Sequence, residues 1–464
     1  MFSLVVGKDK NGGIAKNGNL PWVCRQDLQI FKYLTTGFDG KKYKDNAVVM
    51  GYNTWKSLPN GPLPNRKNII ISKLHMPETV CVNTQENIEW YKSPYDFLMS
   101  TVGKSMHYWI IGGGQLYGWF LDNNLINEIY ITTFLADFQC DLFLQLDGYP
   151  FKEFEIDVRD TYIKNKLAEI SNIAHFKYLV FENKQECQLI DIIKDIITNG
   201  AIRPDRTGTG TISNFGNRAE FDLSSFPLST ARPQSLRWIF EELMWILRGH
   251  TDVSILEKKG INIWTPNSTK EFIDKQNLDV QLEAGNLGES YGHNMRNYAG
   301  CDQLAGALNL LKSNPTSRRI IINLWNSASV KRSALPPCLC WYQFYVREIN
   351  NEIYLDCQAM NRSSDIVVAG GWNVTTAAML VYILAAACGY KPGKLIWITG
   401  DTHIYTNNVN AAKQLMERVP VTYPKLFITK NISTLADILE LEYADLTLIG
   451  YRPVKPQIQM QMNA

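Results

Sequence analysis

The chain has 464 residues, more than one hydrophobic core usually serves, so two or three domains are expected. Lys and Arg number 47 against 45 Asp and Glu, a near balance that argues against a protein built mainly to hold nucleic acid through phosphates. Hydrophobic residues at 45 % and charged residues at 20 % exclude a disordered or fibrous chain. No basic-then-apolar leader opens the sequence, and the longest apolar run, Ala377 to Cys388, reads as a buried helix too short for a bilayer. A cytoplasmic protein without a membrane partner is expected. The nine cysteines are odd in number and form no C-x-x-C pair, and the six histidines are dispersed. Reduced thiols and no metal site are therefore expected.

In chain order, Phe2–Val6, Ala47–Met50, Asn68–Ile71, Tyr108–Ile111 and Glu128–Thr132 are short β-branched or aromatic runs bounded by Gly, Asn or Pro, which predict strands. Leu28–Leu34 and Gln115–Leu121 between them have helical periodicity. Such alternation predicts an α/β unit with a mostly parallel mixed sheet flanked by helices. A last strand-like run, His175–Glu182, ends in a short polar stretch, and the texture then changes. Leu189–Ile197 and Leu236–Leu247 read as long amphipathic helices, and helices outnumber strands, as in an α+β unit. The expected domains are residues 1–183 and 184–464.

In the first half, Ile110–Gly114 followed by Gln115-Leu116-Tyr117 reads as strand, glycine turn and helix, a weak phosphate-binding signal by itself. Gly51 to Trp55 is a second such turn. Asp27 shares a helix face with Leu28 and Phe31. Spacing alone leaves two readings even: a first-turn carboxylate meeting the helix dipole, or a buried acid of raised pKa facing a cationic ligand edge.

The motifs Gly13-Ile14-Ala15-Lys16-Asn17-Gly18-Asn19-Leu20-Pro21-Trp22, Asp27, Val49-Met50-Gly51-x-x-Thr54-Trp55, Leu63–Ser72, Gly112-Gly113-Gly114 and Tyr130-Ile131-Thr132 occur in order, and residues 1–182 thereby resemble the dihydrofolate reductase family. The resemblance implies NADPH and dihydrofolate as ligands. It implies that Asp27, hydrogen-bonded by Thr132, binds the pterin and promotes its protonation. Val5, Val6, Trp22, Phe31 and Leu58 would wall the pocket and Arg66 would clamp a glutamate carboxylate. Gly7, Ile14, Leu20, Gly51, Thr54, Ser72, Lys73, Gly112, Gly113, Gly114, Gln115, Leu116 and Tyr117 would line the cofactor. Two departures stand out: Tyr52 where the family usually has a basic residue, with Lys73 as a second basic position, and Ala15 in a loop where glycine is common.

In the second half, Ala334-Leu335-Pro336-Pro337-Cys338-Leu339-Cys340 poses a choice that local spacing leaves open: nucleophile, metal pair or core. Arg206, Arg318, Arg319 and Arg362-Ser363 could converge on a dianionic phosphate and stabilise a thiolate. With Glu241-Glu242-Leu243, Gly260–Trp264, Gln343-Phe344-Tyr345, Arg362-Ser363-x-Asp365, Trp372-Asn373 and Gly400-Asp401-x-His403-x-Tyr405, residues 186–464 resemble the thymidylate synthase family. That resemblance makes Cys338 the nucleophile toward dUMP and Cys340 a packing residue. It assigns dUMP to Arg206, Arg318, Arg319, Gln343, Arg362, Ser363, Asp365, Asn373, His403 and Tyr405. It assigns 5,10-methylenetetrahydrofolate to Arg232, Trp264, Asp365, Trp372 and Asn463, and catalytic roles to Glu242, Tyr291 and His403. Arg318 and Arg319 would come from a partner subunit, implying a homodimer with shared sites. Departures include Leu339 where a histidine often follows the nucleophile, Met295 for a tryptophan, and Ala369-Gly370-Gly371 before Trp372.

The two resemblances together imply a reductase that restores the folate its fused synthase oxidises. The alternative is an active reductase carrying a low-turnover, synthase-like scaffold for dimerisation and ligand binding. Lys41, Lys42 and Lys44 could steer a polyanionic folate, although such a charge run is more often a solvated loop.

Overall fold

The computed structural model describes residues 1–37, 46–74, 87–104, 106–154 and 161–463. Lys41, Lys42, Lys44 and Cys81 lie outside them. The chain forms two compact units, Met1–Asn183 and Lys184–Ala464.

In the first unit the strands are β1 Phe2–Lys8, β2 Gly13–Ala15, β3 Asn46–Gly51, β4 Lys67–Ile71, β5 Ile88–Tyr91, β6 His107–Gly112, β7 Glu128–Phe134, β8 Leu142–Phe143, β9 Phe151–Phe154 and β10 Ala174–Phe181. Its helices are α1 Arg25–Thr36, α2 Tyr52–Lys56, α3 Pro94–Ser100, α4 Gly114–Asp122 and α5 Thr161–Ile170. Among the described residues eight strands form one sheet in the order β5-β4-β3-β6-β1-β7-β10-β9. Neighbours from β5 to β7 are parallel, and β10 and β9 close the edge antiparallel. One cross-strand row, Ile69–Val49–Ile110–Leu4–Ile129, is almost fully buried. That burial is why these strands read as continuous apolar runs rather than alternating ones. The ribbon β2–β8 had no clear signal in the sequence, because two or three residues carry no period.

In the second unit the strands are β11 Ala201–Arg203, β12 Thr211–Asp222, β13 Ile321–Asn323, β14 Leu339–Ile349, β15 Glu352–Asp365, β16 Lys391–Tyr405, β17 Lys425–Ile428 and β18 Leu446–Ile449. Its helices are α6 Lys184–Asn199, α7 Leu236–Leu247, α8 Ser254–Glu257, α9 Lys270–Asp274, α10 Tyr291–Arg296, α11 Gln303–Ser313, α12 Gly371–Cys388, α13 Val409–Met416 and α14 Leu435–Leu439. The main sheet runs β11-β12-β16-β15-β14-β13, antiparallel except for β15 with β16. Side chains alternate across it. The row Tyr342–Ala359–Trp397–Ala219 is buried toward the core, while Trp341, Met360 and Ile398 share the opposite, half-exposed face.

Helix α12 is longer than the apolar run suggested. A π-helical turn, Ile366–Gly370, leads into it, and the whole stretch Ile366–Cys388 has the length and composition of a membrane span. It is instead the core helix of this unit, with Ala377–Ala385 buried. Gly389, at φ 72°, ends it in the left-handed region and donates its N–H to Ala386.

Candidate active sites

In the first unit, α1 projects Asp27 from its first turn toward β7. Cys24 at the N-cap makes no side-chain cap, and the Asp27 carboxylate is hydrogen-bonded by Thr132. Burial pushes the Asp27 carboxyl above the ordinary carboxylate range, and the Thr132 hydroxyl only partly opposes this. Register fixes the pair, since Thr132 lies opposite Gly7 of β1. Gly7 is bare for a reason: a Cβ there would sit 3.0 Å from the Trp22 ring. Trp22 in turn packs on Phe134 and Phe138 with centroids 4.9 and 5.3 Å away.

Phe31, Leu58 and Val5 pack around one core cluster. Arg66, itself buried, lies 5.9 Å from the Phe31 centroid. Its Nε donates to the Pro64 carbonyl at 3.0 Å and its Nη1 to the Thr35 hydroxyl, so the guanidinium is fastened to the end of α1. Val6 and Ile14 are buried, and Leu20 is exposed.

The Gly112–Gly113 peptide is cis. Gly112 has φ 137°, a conformation that favours glycine, and a Cβ there would meet Thr54 Oγ1 at 3.0 Å. A Cβ on Gly51 would face the Gly113 nitrogen at 3.7 Å. Helix α4 then begins without a side-chain cap, its first N–H groups next to bare backbone. Leu116 and Tyr117 are buried, and the Tyr117 hydroxyl donates to the Val5 carbonyl at 3.0 Å, tying α4 to β1. Gln115 and Lys73 are exposed, Ser72 is buried, and Tyr52 leans toward Trp90 at 6.4 Å. The glycine-lined cradle fits a dinucleotide pyrophosphate, which needs close backbone approach and helix N–H groups.

In the second unit, Cys338 directly precedes β14. Its N–H donates to the Tyr291 hydroxyl at 2.7 Å, and its carbonyl accepts from the Arg362 N–H at 2.8 Å. The Arg362 guanidinium donates to the carbonyls of Pro337 (2.9 Å) and Pro336 (3.1 Å) and stacks 4.9 Å from the Trp325 centroid. The two prolines have no N–H to donate, and their carbonyls anchor that arginine. Burial drives the Tyr291 hydroxyl far above its ordinary value, and its ring lies 5.7 Å from Trp264.

Glu242, buried on α7, accepts from the Trp264 indole at 2.9 Å and the Trp372 indole at 2.6 Å. Burial raises its carboxyl, and the two indoles oppose that. Trp372 was expected to pack on folate; its N–H is committed to Glu242. Asn373 follows it on α12. Asp365 ends β15 and caps the π-helical turn, accepting from Val367 (3.2 Å) and Val368 (3.1 Å). Burial raises Asp365, against those N–H groups, His403 and Arg232. Arg232 donates to the Val368 carbonyl, so the middle of the turn is held as well as its start.

His403 and Tyr405 share one face of β16, their rings perpendicular at 5.3 Å. His403 Nδ1 sits 2.9 Å from Asp401, whose other oxygen binds Arg203 at 2.5 Å, leaving Nε2 for a ligand. Asp205 accepts from the N–H groups of Thr207 and Gly210, both at 2.8 Å, shaping the turn that presents Arg206 beside Phe272. Asn463 is docked on Asn407 at 2.9 Å and Thr209 at 3.4 Å, so the end of the chain reaches that same turn. Ser363 pairs in register with Asp401, and Gln343 lies on the half-exposed sheet face. Arg318 and Arg319 are exposed in the segment before β13.

Sequence reasoning missed Glu186. This buried residue in the first turn of α6 accepts from Ser229 Oγ at 2.5 Å, Thr230 N–H and Oγ1 at 2.9 and 2.6 Å, and Ala231 N–H at 3.0 Å. It fixes the loop that carries Arg232. Its partners lie more than forty residues away, beyond any local motif. Asp401 was also given no role, although Asp-x-His on a strand places both on one face.

The two units define a class: a reductase with a glycine-lined cradle joined to a transferase. A dihydrofolate reductase family model matches residues 1–176 and a thymidylate synthase family model matches residues 187–464. The chain is 34 % identical to the bifunctional dihydrofolate reductase-thymidylate synthase of Paramecium tetraurelia, covering 99 % of this chain and 98 % of that one. It is 31 % identical to that of Zea mays (99 % and 96 %) and 32 % identical to that of Leishmania major (99 % and 95 %). The chain belongs to the bifunctional dihydrofolate reductase–thymidylate synthase family.

Proposed function

We propose that the second unit converts dUMP and 5,10-methylenetetrahydrofolate to dTMP and dihydrofolate, and that the first unit reduces dihydrofolate to tetrahydrofolate with NADPH. The observation that carries this reading is the Cys338 constellation. The nucleophile's main chain is pinned on both sides, by Tyr291 and Arg362, with a buried Glu242 clamped by two indoles.

In the reductase unit, NADPH supplies a hydride when bound to the glycine cradle of Gly51, Thr54 and Gly112–Tyr117. Asp27, raised by burial, binds the pterin's amidine edge and favours its protonation. Trp22, Phe31 and Leu58 exclude water, and Arg66 holds the glutamate carboxylate. Ser72 and Lys73 stand at the far end of the cradle, where Lys73 takes the charge role that Tyr52 cannot.

In the synthase unit, the Cys338 thiolate adds to C6 of dUMP, which makes C5 nucleophilic toward the folate methylene. Arg206, Arg362 and Ser363 bind the phosphate. Asn373 reads the uracil edge, with Gln343 near it, and His403 and Tyr405 meet the sugar hydroxyl. Glu242 orders the proton-transfer water and Tyr291 assists proton removal. Arg232, Trp264, Asp365, Trp372 and Asn463 form the folate side. Arg318 and Arg319 complete the phosphate site of a second copy. The apolar sheet face of Trp341, Met360 and Ile398, half-exposed in one chain, supports a homodimer through that sheet. We place the enzyme in the cytoplasm, where its thiols stay reduced.

A 5-fluorinated dUMP analogue with methylenetetrahydrofolate tests the synthase half. The reading expects a covalent complex that survives denaturation in the wild type and is absent from Cys338→Ala. Tight but non-covalent binding by the wild type would favour the scaffold alternative instead.

A further inference from the structure

The thiol beside the nucleophile has no part in the reaction above. Cys340 Sγ is turned back to within 4.0 Å of the Cys338 carbonyl. In a regular strand, residues two apart have Cα atoms about 6.6 Å apart, near the upper limit of roughly 6.8 Å that a disulfide spans. This strand is not regular there. The pairing of β14 with β15 slips between Leu339 and Trp341, so the extra residue of a bulge falls at Cys340. A bulge bends the strand and frees the extra residue from the regular ladder spacing. The Arg362 N–H holds the Cys338 carbonyl at 2.8 Å, and the N–H groups of Leu324 and Trp325 hold the Cys340 carbonyl at 2.7 and 3.1 Å. The main chain at both cysteines is thus fixed, and both thiols are unbonded to any other sulfur and half-buried. Burial raises the Cys340 thiol, against Arg362, and Cys338, as the nucleophile of the proposed reaction, is the sulfur that meets an oxidant as a thiolate.

We propose that Cys340 is a resolving thiol that rescues an oxidised Cys338 as a Cys338–Cys340 disulfide. A hydroperoxide transfers its distal oxygen to the Cys338 thiolate. The O–O bond breaks, the alkoxide or hydroxide leaves and takes a proton, and Cys338 becomes a sulfenic acid. The Cys340 thiolate then attacks the Cys338 sulfur. The S–S bond forms, the S–O bond breaks, and the oxygen leaves as water. An external dithiol reduces the disulfide and restores the nucleophile. The disulfide blocks turnover but stops Cys338 short of the irreversible sulfinic acid.

The proposal rests on Cys338 being the nucleophile, so turnover of Cys338→Ala without oxidant is measured first and judges that reading separately. Wild type and Cys340→Ala are then exposed to hydrogen peroxide, quenched and treated with dithiothreitol. The expected result is full recovery of wild-type synthase turnover and permanent loss in Cys340→Ala. Peptide mapping of the oxidised wild type should show residues 338 and 340 joined, lighter by two hydrogens. Equal recovery in both proteins would overturn the proposal. So would a wild-type map showing only sulfinic Cys338 or a bond to another cysteine, and this holds even where the variant fails to fold.

Discussion

Each unit buries a carboxylate, and the two are held by different means. Asp27 stands half-buried at the start of α1 with the hydroxyl of Thr132 as its side-chain donor. Glu242 lies inside α7 with an indole N–H on each oxygen. Burial raises both, but the surroundings leave them different freedom. A hydroxyl can donate or accept, so Asp27 can change protonation as its ligand requires. An indole only donates, so Glu242 is held to one orientation whatever its neighbour does. Glu186 extends the series: the Ser229–Ala231 segment donates to both of its oxygens, and it holds the loop that carries Arg232. The number and kind of donors, more than burial, separate a working carboxylate from a structural one.

The largest break in this comparison should come from Asp27→Asn. Reductase kcat/KM should fall by about 10²–10⁴-fold, the span of a lost acid–base group, while synthase turnover stays intact. Wild-type kcat/KM should fall as pH rises through the raised pKa of Asp27, and the variant should lose that limb. Stability should move the other way. A carboxyl raised above its unfolded value of 3.8 costs stability above that pH. Asp27→Asn should therefore raise the melting temperature at neutral pH, with the gain vanishing as pH falls below the unfolded value.

Glu242→Gln should lower synthase turnover by roughly 10²-fold with dUMP affinity little changed, read from tritium release and equilibrium binding. Gly7→Ala forces a methyl against the Trp22 ring and should destabilise the reductase unit by about 1–3 kcal/mol, the usual cost of overpacking, measured by urea unfolding. Trp372→Phe removes one donor from Glu242 and should cost synthase kcat about 1 kcal/mol, the scale of one hydrogen bond. A loss of folate affinity beside the fall in kcat would place the Trp372 ring on the folate as well, the role its motif implies; a loss of folate affinity with kcat unchanged would remove the indole–Glu242 contact from the account of turnover.

Much of the architecture was legible because the signals were local. Leu236–Leu247 has both ends in the sequence, with Ser235 capping and a continuous apolar stripe. The core strands announced themselves as apolar runs. What escaped depends on distance along the chain. Helix α6 starts at Lys184, five residues before its apolar pattern, because Glu186 finds donors in Ser229–Ala231. Asp27 could be seen on a helix face by spacing, whereas Thr132 came only from the family motif, because the register of β7 with β1 that places it is not a local signal. Trp264 and Trp372 lie 108 residues apart in the chain and meet on one carboxylate, and no spacing rule predicts that.

The most direct measurement is NADPH oxidation by the purified chain given methylenetetrahydrofolate, with and without dUMP, for wild type and Cys338→Ala. The two-site reading predicts oxidation that requires dUMP in the wild type and disappears in the variant, while added dihydrofolate is still reduced by both. Dihydrofolate reduction without any dUMP-dependent signal in the wild type, or a dUMP-dependent signal that survives in Cys338→Ala, would contradict it.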